Sequence, residues 1–185
     1  MKFSKTKAKR LKNSRRKREG KRTRPFFINN EINKNPLAKK STERNELRLR
    51  IASSTEELMH VRKFVSDAAK QFGFRDDEIN NIALAVDEAC TNIIKHAYDY
   101  AEDQDIHVVV TTKKEEFQVQ IVDHGRHFDP DHVQMPNMKE YLSHYKRGGL
   151  GMYLMKKLMD KVEYSIQPKQ NVVCLTKYLH HRISQ

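Results

Sequence analysis

From about Glu46 onward the chain alternates between two hydrophobic periods. Leu47, Leu49 and Ile51 alternate with Arg48 and Arg50, the two-residue repeat of a strand with one buried face. Ser54-Thr55-Glu56-Glu57 then fits a capping box, with Ser54 capping and Glu57 reaching back. Leu58, Val61, Phe64, Val65 and Ala68 follow at the three-and-four spacing of an amphipathic helix, which Gly73 closes. Arg75-Asp76-Asp77-Glu78 opens a second helix, its acids matched to the positive end of the helix dipole. Ile79, Ile82, Ala83, Val86, Cys90, Ile93 and Ala97 form its apolar stripe, which predicts a helix running to about Tyr98. Two β-branched runs, Ile106–Thr112 and Phe117–Val122, flank the polar Lys113-Lys114-Glu115-Glu116 and read as a hairpin. Asp123 to Gly149 shows little periodicity. A third helix is predicted over Leu150–Met159, and two more strands over Val162–Ile166 and Val172–Tyr178. Grouped helices and consecutive strands in the order β-α-α-β-β-loop-α-β-β predict an α+β, two-layer sandwich with helices on one face of a mixed, mostly antiparallel sheet.

Charge divides the chain into two parts. Residues 1–24 hold 13 of the 36 Lys and Arg and one of the 24 Asp and Glu, so the whole net charge of +12 resides there. The remaining residues are balanced. Up to residue 45 the sequence is polar, basic and without a periodic apolar face, which predicts a disordered extension over 1–45 ahead of a domain over 46–181. Such an extension is either a solvated tail or an electrostatic attachment to nucleic acid, an anionic membrane or an acidic protein. No apolar stretch follows the basic start and no window is long and apolar enough to span a bilayer, so a cytoplasmic chain is expected. Cys90 and Cys174 sit in apolar runs without CxxC spacing and read as small buried hydrophobes in a reducing compartment.

Three short segments carry candidate chemistry. Glu88 and Asn92 lie one turn apart, off the apolar stripe of the second helix. Alone they read as solvated surface; Leu84 and Ala85 one turn earlier make that face less polar, which leaves cover by a ligand or a mobile lid as the alternative. In Asp123-His124-Gly125 an acid at a strand end could accept a proton from an amino group on a flat heterocycle while the glycine removes a steric block; the same residues also suit a simple turn. Arg147-Gly148-Gly149-Leu150-Gly151 runs into the third helix, where converging N–H groups form an anion site or the glycines form a hinge. Neither a P-loop lysine nor a GxGxxG turn is present.

In order and spacing, Glu88-Ala89-Cys90-Thr91-Asn92, Asp123-His124-Gly125 and Gly148-Gly149-Leu150-Gly151 resemble the N, G1 and G2 boxes of the Bergerat-fold, histidine-kinase-like ATPases. The runs Glu88 to Tyr98 and Gly148 to Asp160 look like those of the anti-sigma-factor serine kinases. The resemblance spans about Leu47 to Leu179 and leaves out the basic segment. It implies ATP and Mg²⁺ as cofactors, with Asp123 bonding the adenine amino group and Gly125 permitting close approach. It further implies Asn92 as the Mg²⁺ ligand and Glu88 as base or orienting group for an attacking hydroxyl. Gly148, Gly149 and Gly151, with Leu150 between them, would cradle phosphates beside Lys146 and Arg147, under a lid formed by Pro130–Lys146.

The implied function is phosphorylation of a serine on an anti-sigma-factor antagonist of the STAS type, together with capture of a sigma factor, by a homodimer. Two alternatives remain: a nucleotide-gated binding module without phosphotransfer, and a nucleic-acid or membrane binder acting through the basic tail. Two departures from the family pattern stand out. His127 occupies a position where many members have a second glycine. In Asn171-Val172-Val173-Cys174-Leu175-Thr176, the threonine that often assists the adenine aspartate is replaced by Val or Cys, with Thr176 out of register. His96 reads as a structural histidine, and His124, His127 and His132 show no metal-ligand spacing. Met152, Met155 and Met159 read as core, or with Tyr153 as a partner surface.

Overall fold

The computed structural model describes residues 44–127 and 149–180 and the backbone of Phe26–Phe27. Residues 1–25 and 28–43 of the basic extension, His132, the loop Pro130–Lys146, Arg147, Gly148 and residue 181 of the 46–181 domain lie outside the described residues. The elements are β1 (Phe26–Phe27), β2 (Asn45–Ala52), α1 (Leu58–Phe72), α2 (Asp76–Asn92), β3 (Asp105–Lys113), β4 (Glu116–Asp123), α3 (Leu150–Leu158), β5 (Lys161–Gln167) and β6 (Gln170–Tyr178). They form one sheet of order β1-β2-β3-β4-β6-β5. Phe26–Phe27, inside a segment read as without structure, pairs with Arg50 and Leu49 on the edge of β2.

Every described strand pairing is antiparallel, which takes the expected mixed, mostly antiparallel sheet to its fully antiparallel limit. The connections explain it. Two helices in succession, α1 and α2, carry the chain away and back, so β3 runs antiparallel to β2. The single crossover through α3 leaves β5 parallel to β4, but β6 inserts between them and is antiparallel to both.

Local chemistry sets the helix ends. Ser54 Oγ accepts the Glu56 N–H at 3.3 Å and opens a 3₁₀ turn over Thr55–Glu57 that leads into α1. The expected return bond from Glu57 is replaced, since its carboxylate meets His60 Nδ1 at 2.9 Å, one turn ahead. Gly73 ends α1 in the left-handed region (φ 110°), its N–H directed at the Ala69 and Lys70 carbonyls. The Arg75 N–H donates to the Glu78 carboxylate at 3.1 Å and caps α2. The helix expected to continue to Tyr98 widens into a π turn over Ile93–Ala97, with Tyr98 N–H donating to Ile93 O at 3.0 Å.

The core lies between the sheet and the helix layer. Leu49, Ile106, Val108, Val110, Val119, Ile121 and Leu175 of the sheet and Val61, Val65, Ile82, Val86 and Met155 of the helices are all buried. Met152 and Met159 are buried with Met155, so the methionines are core and not an outer surface. Cys90 is fully buried, which pushes its thiol pKa up, and Cys174 is half-buried; neither forms a disulfide. Among the described residues no helix is long and apolar enough to cross a membrane.

At the start of β4, Phe117 packs edge-on against Phe74 at 5.5 Å and tilted against Phe72 at 5.6 Å. It is fully buried. Phe117→Ala is therefore expected to cost about 3–5 kcal/mol, measured as a lower urea midpoint at unchanged slope.

Candidate functional site

Two consecutive acids on α2 face different neighbours, because successive helical side chains diverge by ~100°. Asp87 turns to α1, where Arg62 Nε donates to it at 2.8 Å and Arg62 Nη2 pairs with the same oxygen. Burial pushes the Asp87 pKa up and Arg62 opposes that shift. Glu88 turns to α3. A Cβ placed on Gly151 would lie 2.5 Å from Glu88 Oε2 and 3.5 Å from Asn92 Nδ2. The first turn of α3 therefore lies against Glu88 and Asn92, entered through Gly149 in the left-handed region (φ 81°). Ala85 belongs to the buried core, and Leu84 is exposed.

Asp123 ends β4 and is 2% exposed. Both of its described hydrogen bonds fall on Oδ1, one from the Gly125 N–H at 2.8 Å and one from Asn171 Nδ2 at 2.9 Å. Asn171 lies directly opposite in the β4–β6 register, with Val172 and Val173 opposite Val122 and Ile121. Thr176 pairs with Gln118, well down the strand from Asp123. The residue that supports the acid is therefore Asn171, which the sequence reading passed over because its side chain gains meaning only from the pairing.

The fold itself requires a glycine at position 125. A Cβ there would fall 2.6 Å from the carbonyl oxygen of Ala97 and 2.7 Å from its carbonyl carbon and Cβ. The next residue bonds the same carbonyl, Arg126 N–H to Ala97 O, at 2.9 Å. Tyr98 completes the junction. Its hydroxyl donates to Asp105 O at 2.7 Å and accepts the His124 N–H at 2.9 Å. A fixed chain of bonds thus links the end of α2, which carries Glu88 and Asn92, to the end of β4, which carries Asp123.

Between those ends lies a partly open, mostly apolar cleft. Asn92 and Asp123 both line it, with Ile93, Met155 and Val173 among its apolar walls. Tyr164 of β5 adds a wall whose phenol pKa burial pushes up to about 12, so it is uncharged at neutral pH. His96, read as structural, is exposed and lines the cleft as well. A buried carboxylate at one end of a mostly apolar slot suits a flat, amino-bearing ring.

A two-layer α+β fold with such a cleft between its helices and its antiparallel sheet belongs to a recognisable class. Residues 51–177 match the histidine kinase-like ATPase domain, and the chain belongs to that family. The serine-protein kinase RsbW of Bacillus velezensis is 34% identical over 145 residues, which cover 76% of this chain and 89% of the relative. The protein of the same name from Bacillus subtilis is 32% identical over 139 residues, covering 72% and 86%. Among solved structures, the RsbU and RsbW domains of a Mycobacterium tuberculosis protein match with a TM-score of 0.53 at 15% identity, over 72% of this chain and 32% of that one. The SiaB–SiaC complex from Pseudomonas aeruginosa gives a TM-score of 0.52 at 12% identity, over 70% of this chain and 88% of that one. At those identities the structural likeness concerns the fold.

The tight approach at Gly125 makes a testable claim. Gly125→Ala forces apart two backbone segments that cannot yield as a flexible side chain would, at an expected cost of about 1–3 kcal/mol. Thermal unfolding of the variant should show a clearly lower Tm.

Proposed function

We propose that this chain is an ATP-dependent protein-serine kinase and anti-sigma factor that phosphorylates an anti-sigma-factor antagonist. One observation carries the reading: Asp123 and Asn92 line one cleft, and Glu88 lies a turn from Asn92 under the start of α3. The names of the similar RsbW proteins supply the reaction class.

In this reading Asp123 accepts from the adenine amino group, and Ile93, Met155 and Val173 hold the ring by dispersion. Asn92 would hold Mg²⁺ through its amide oxygen, a hard ligand suited to that ion. Gly149, Leu150 and Gly151 present the first-turn N–H groups of α3 to phosphate, joined by Gly148, Arg147 and Lys146. When bound, ATP with Mg²⁺ supplies the phosphoryl group and neutralises charge on it. Glu88 is the base or orienting group for the serine hydroxyl of the partner, positioned by α2 and kept close to the phosphate end by Gly151.

The partners that follow are the antagonist and a sigma factor, in the cytoplasm and with the chain as a homodimer. The family domain occupies 46–181. The basic segment 1–45 stands apart from the catalytic reading and would meet an acidic partner or nucleic acid through its concentrated positive charge.

The test is incubation with γ-labelled ATP and the candidate antagonist. Glu88→Ala is expected to lower phosphoserine formation by about 10²-fold or more while ATP still binds. Equal phosphoserine in wild type and variant would remove Glu88 from the mechanism. ATP binding and partner capture with no phosphoserine even in the wild type would instead establish a nucleotide-gated module without phosphotransfer.

A further inference from the structure

His127, four residues beyond Asp123, meets Asn171. His127 Nδ1 lies 2.6 Å from Asn171 Oδ1. The other end of the same amide faces three acceptors: Asp123 Oδ1 at 2.9 Å, Gly125 O at 3.3 Å and Arg126 O at 3.4 Å. An amide turned by 180° would set its oxygen against a carboxylate and two carbonyls, with no donor between them. The amide orientation is therefore determined, and with it the histidine's role, because an oxygen at that position requires an N–H on Nδ1.

We propose that His127 is a positioning residue of the nucleobase site, acting on Asp123 through Asn171. Its Nδ1–H holds the Asn171 oxygen, which keeps the Asn171 N–H groups on Asp123 Oδ1 and the two carbonyls. Asp123 Oδ1 also accepts the Gly125 N–H at 2.8 Å, so it already has two donors. Oδ2 is left as the acceptor offered to the cleft. A carboxylate held in this way presents one lone-pair edge in one direction, which favours a base with an exocyclic amino group and disfavours one with a carbonyl at the same place. Without the histidine, Asn171 can turn and the carboxylate can rotate, so the preference weakens before binding is lost. The inference rests on the reading of this cleft as an ATP site.

The experiment compares fluorescent ATP and GTP analogues on the full chain for wild type, His127→Phe, His127→Gln and Asp123→Ala, with Tm recorded for each. The phenylalanine keeps a ring but has no donor; the glutamine restores an N–H. The expected result is a roughly fivefold to tenfold fall in the ATP-to-GTP affinity ratio in His127→Phe, partial recovery in His127→Gln, and loss of the preference in Asp123→Ala. A purely structural histidine would lower Tm or weaken both nucleotides in parallel, and an unchanged ratio in His127→Phe would overturn the relay while Asp123→Ala still upheld the ATP site. A wild type that does not favour ATP would overturn the site reading and the relay together.

Discussion

The backbone of Gly125 rests on that of Ala97 with no space for a side chain, and the rest of the site is arranged around that approach. On one side of it α2 brings Glu88 and Asn92; on the other β4 brings Asp123. The Arg126–Ala97 bond and the Tyr98 hydroxyl, shared between His124 and Asp105, prevent the two from sliding. Because each link is a backbone group or a buried hydroxyl, the separation between the two ends of the cleft is set by packing. Close-packed interiors of this kind do not deform gradually.

Burial is costly for charge, and the chain meets that cost differently at three acids. Asp123 is nearly inaccessible and receives donors from a backbone N–H and from Asn171. Asp87 takes a guanidinium from α1, while its Oδ1 is buried without a hydrogen-bond partner among the described residues. Glu88 is only partly buried and faces Gly151 of α3. Adjacent positions on one helix thus serve inter-helix attachment and candidate chemistry, separated only by the helical turn.

Reading the elements from the sequence succeeded where a short-range pattern has one physical outcome. The hairpin of β3 and β4, the glycine stop of α1 and the acidic start of α2 are local, and the structure has them. Glu57 was assigned to a cap but bonds His60, because two partners were within its reach and periodicity does not rank them. The π turn at Ile93–Ala97 preserves the apolar stripe and so leaves no trace in it. The antiparallel pairing of β6 between β4 and β5 depends on which edge the last strand joins, which no local pattern encodes.

By itself the sequence determined the layer architecture and the family resemblance, and singled out Glu88, Asn92, Asp123 and Gly151 as candidates, since these follow from hydrophobic period and motif spacing along the chain. Only the tertiary structure decided that Gly125 answers to Ala97, that α3 lies against Glu88, and that the Asn171 amide meets both Asp123 and His127. Those relations join residues tens of positions apart. They depend on strand register, on hydrogen-bond contacts of 2.6–2.9 Å and on backbone approaches with no room for a Cβ, which arise only when the sheet and helices close on one another.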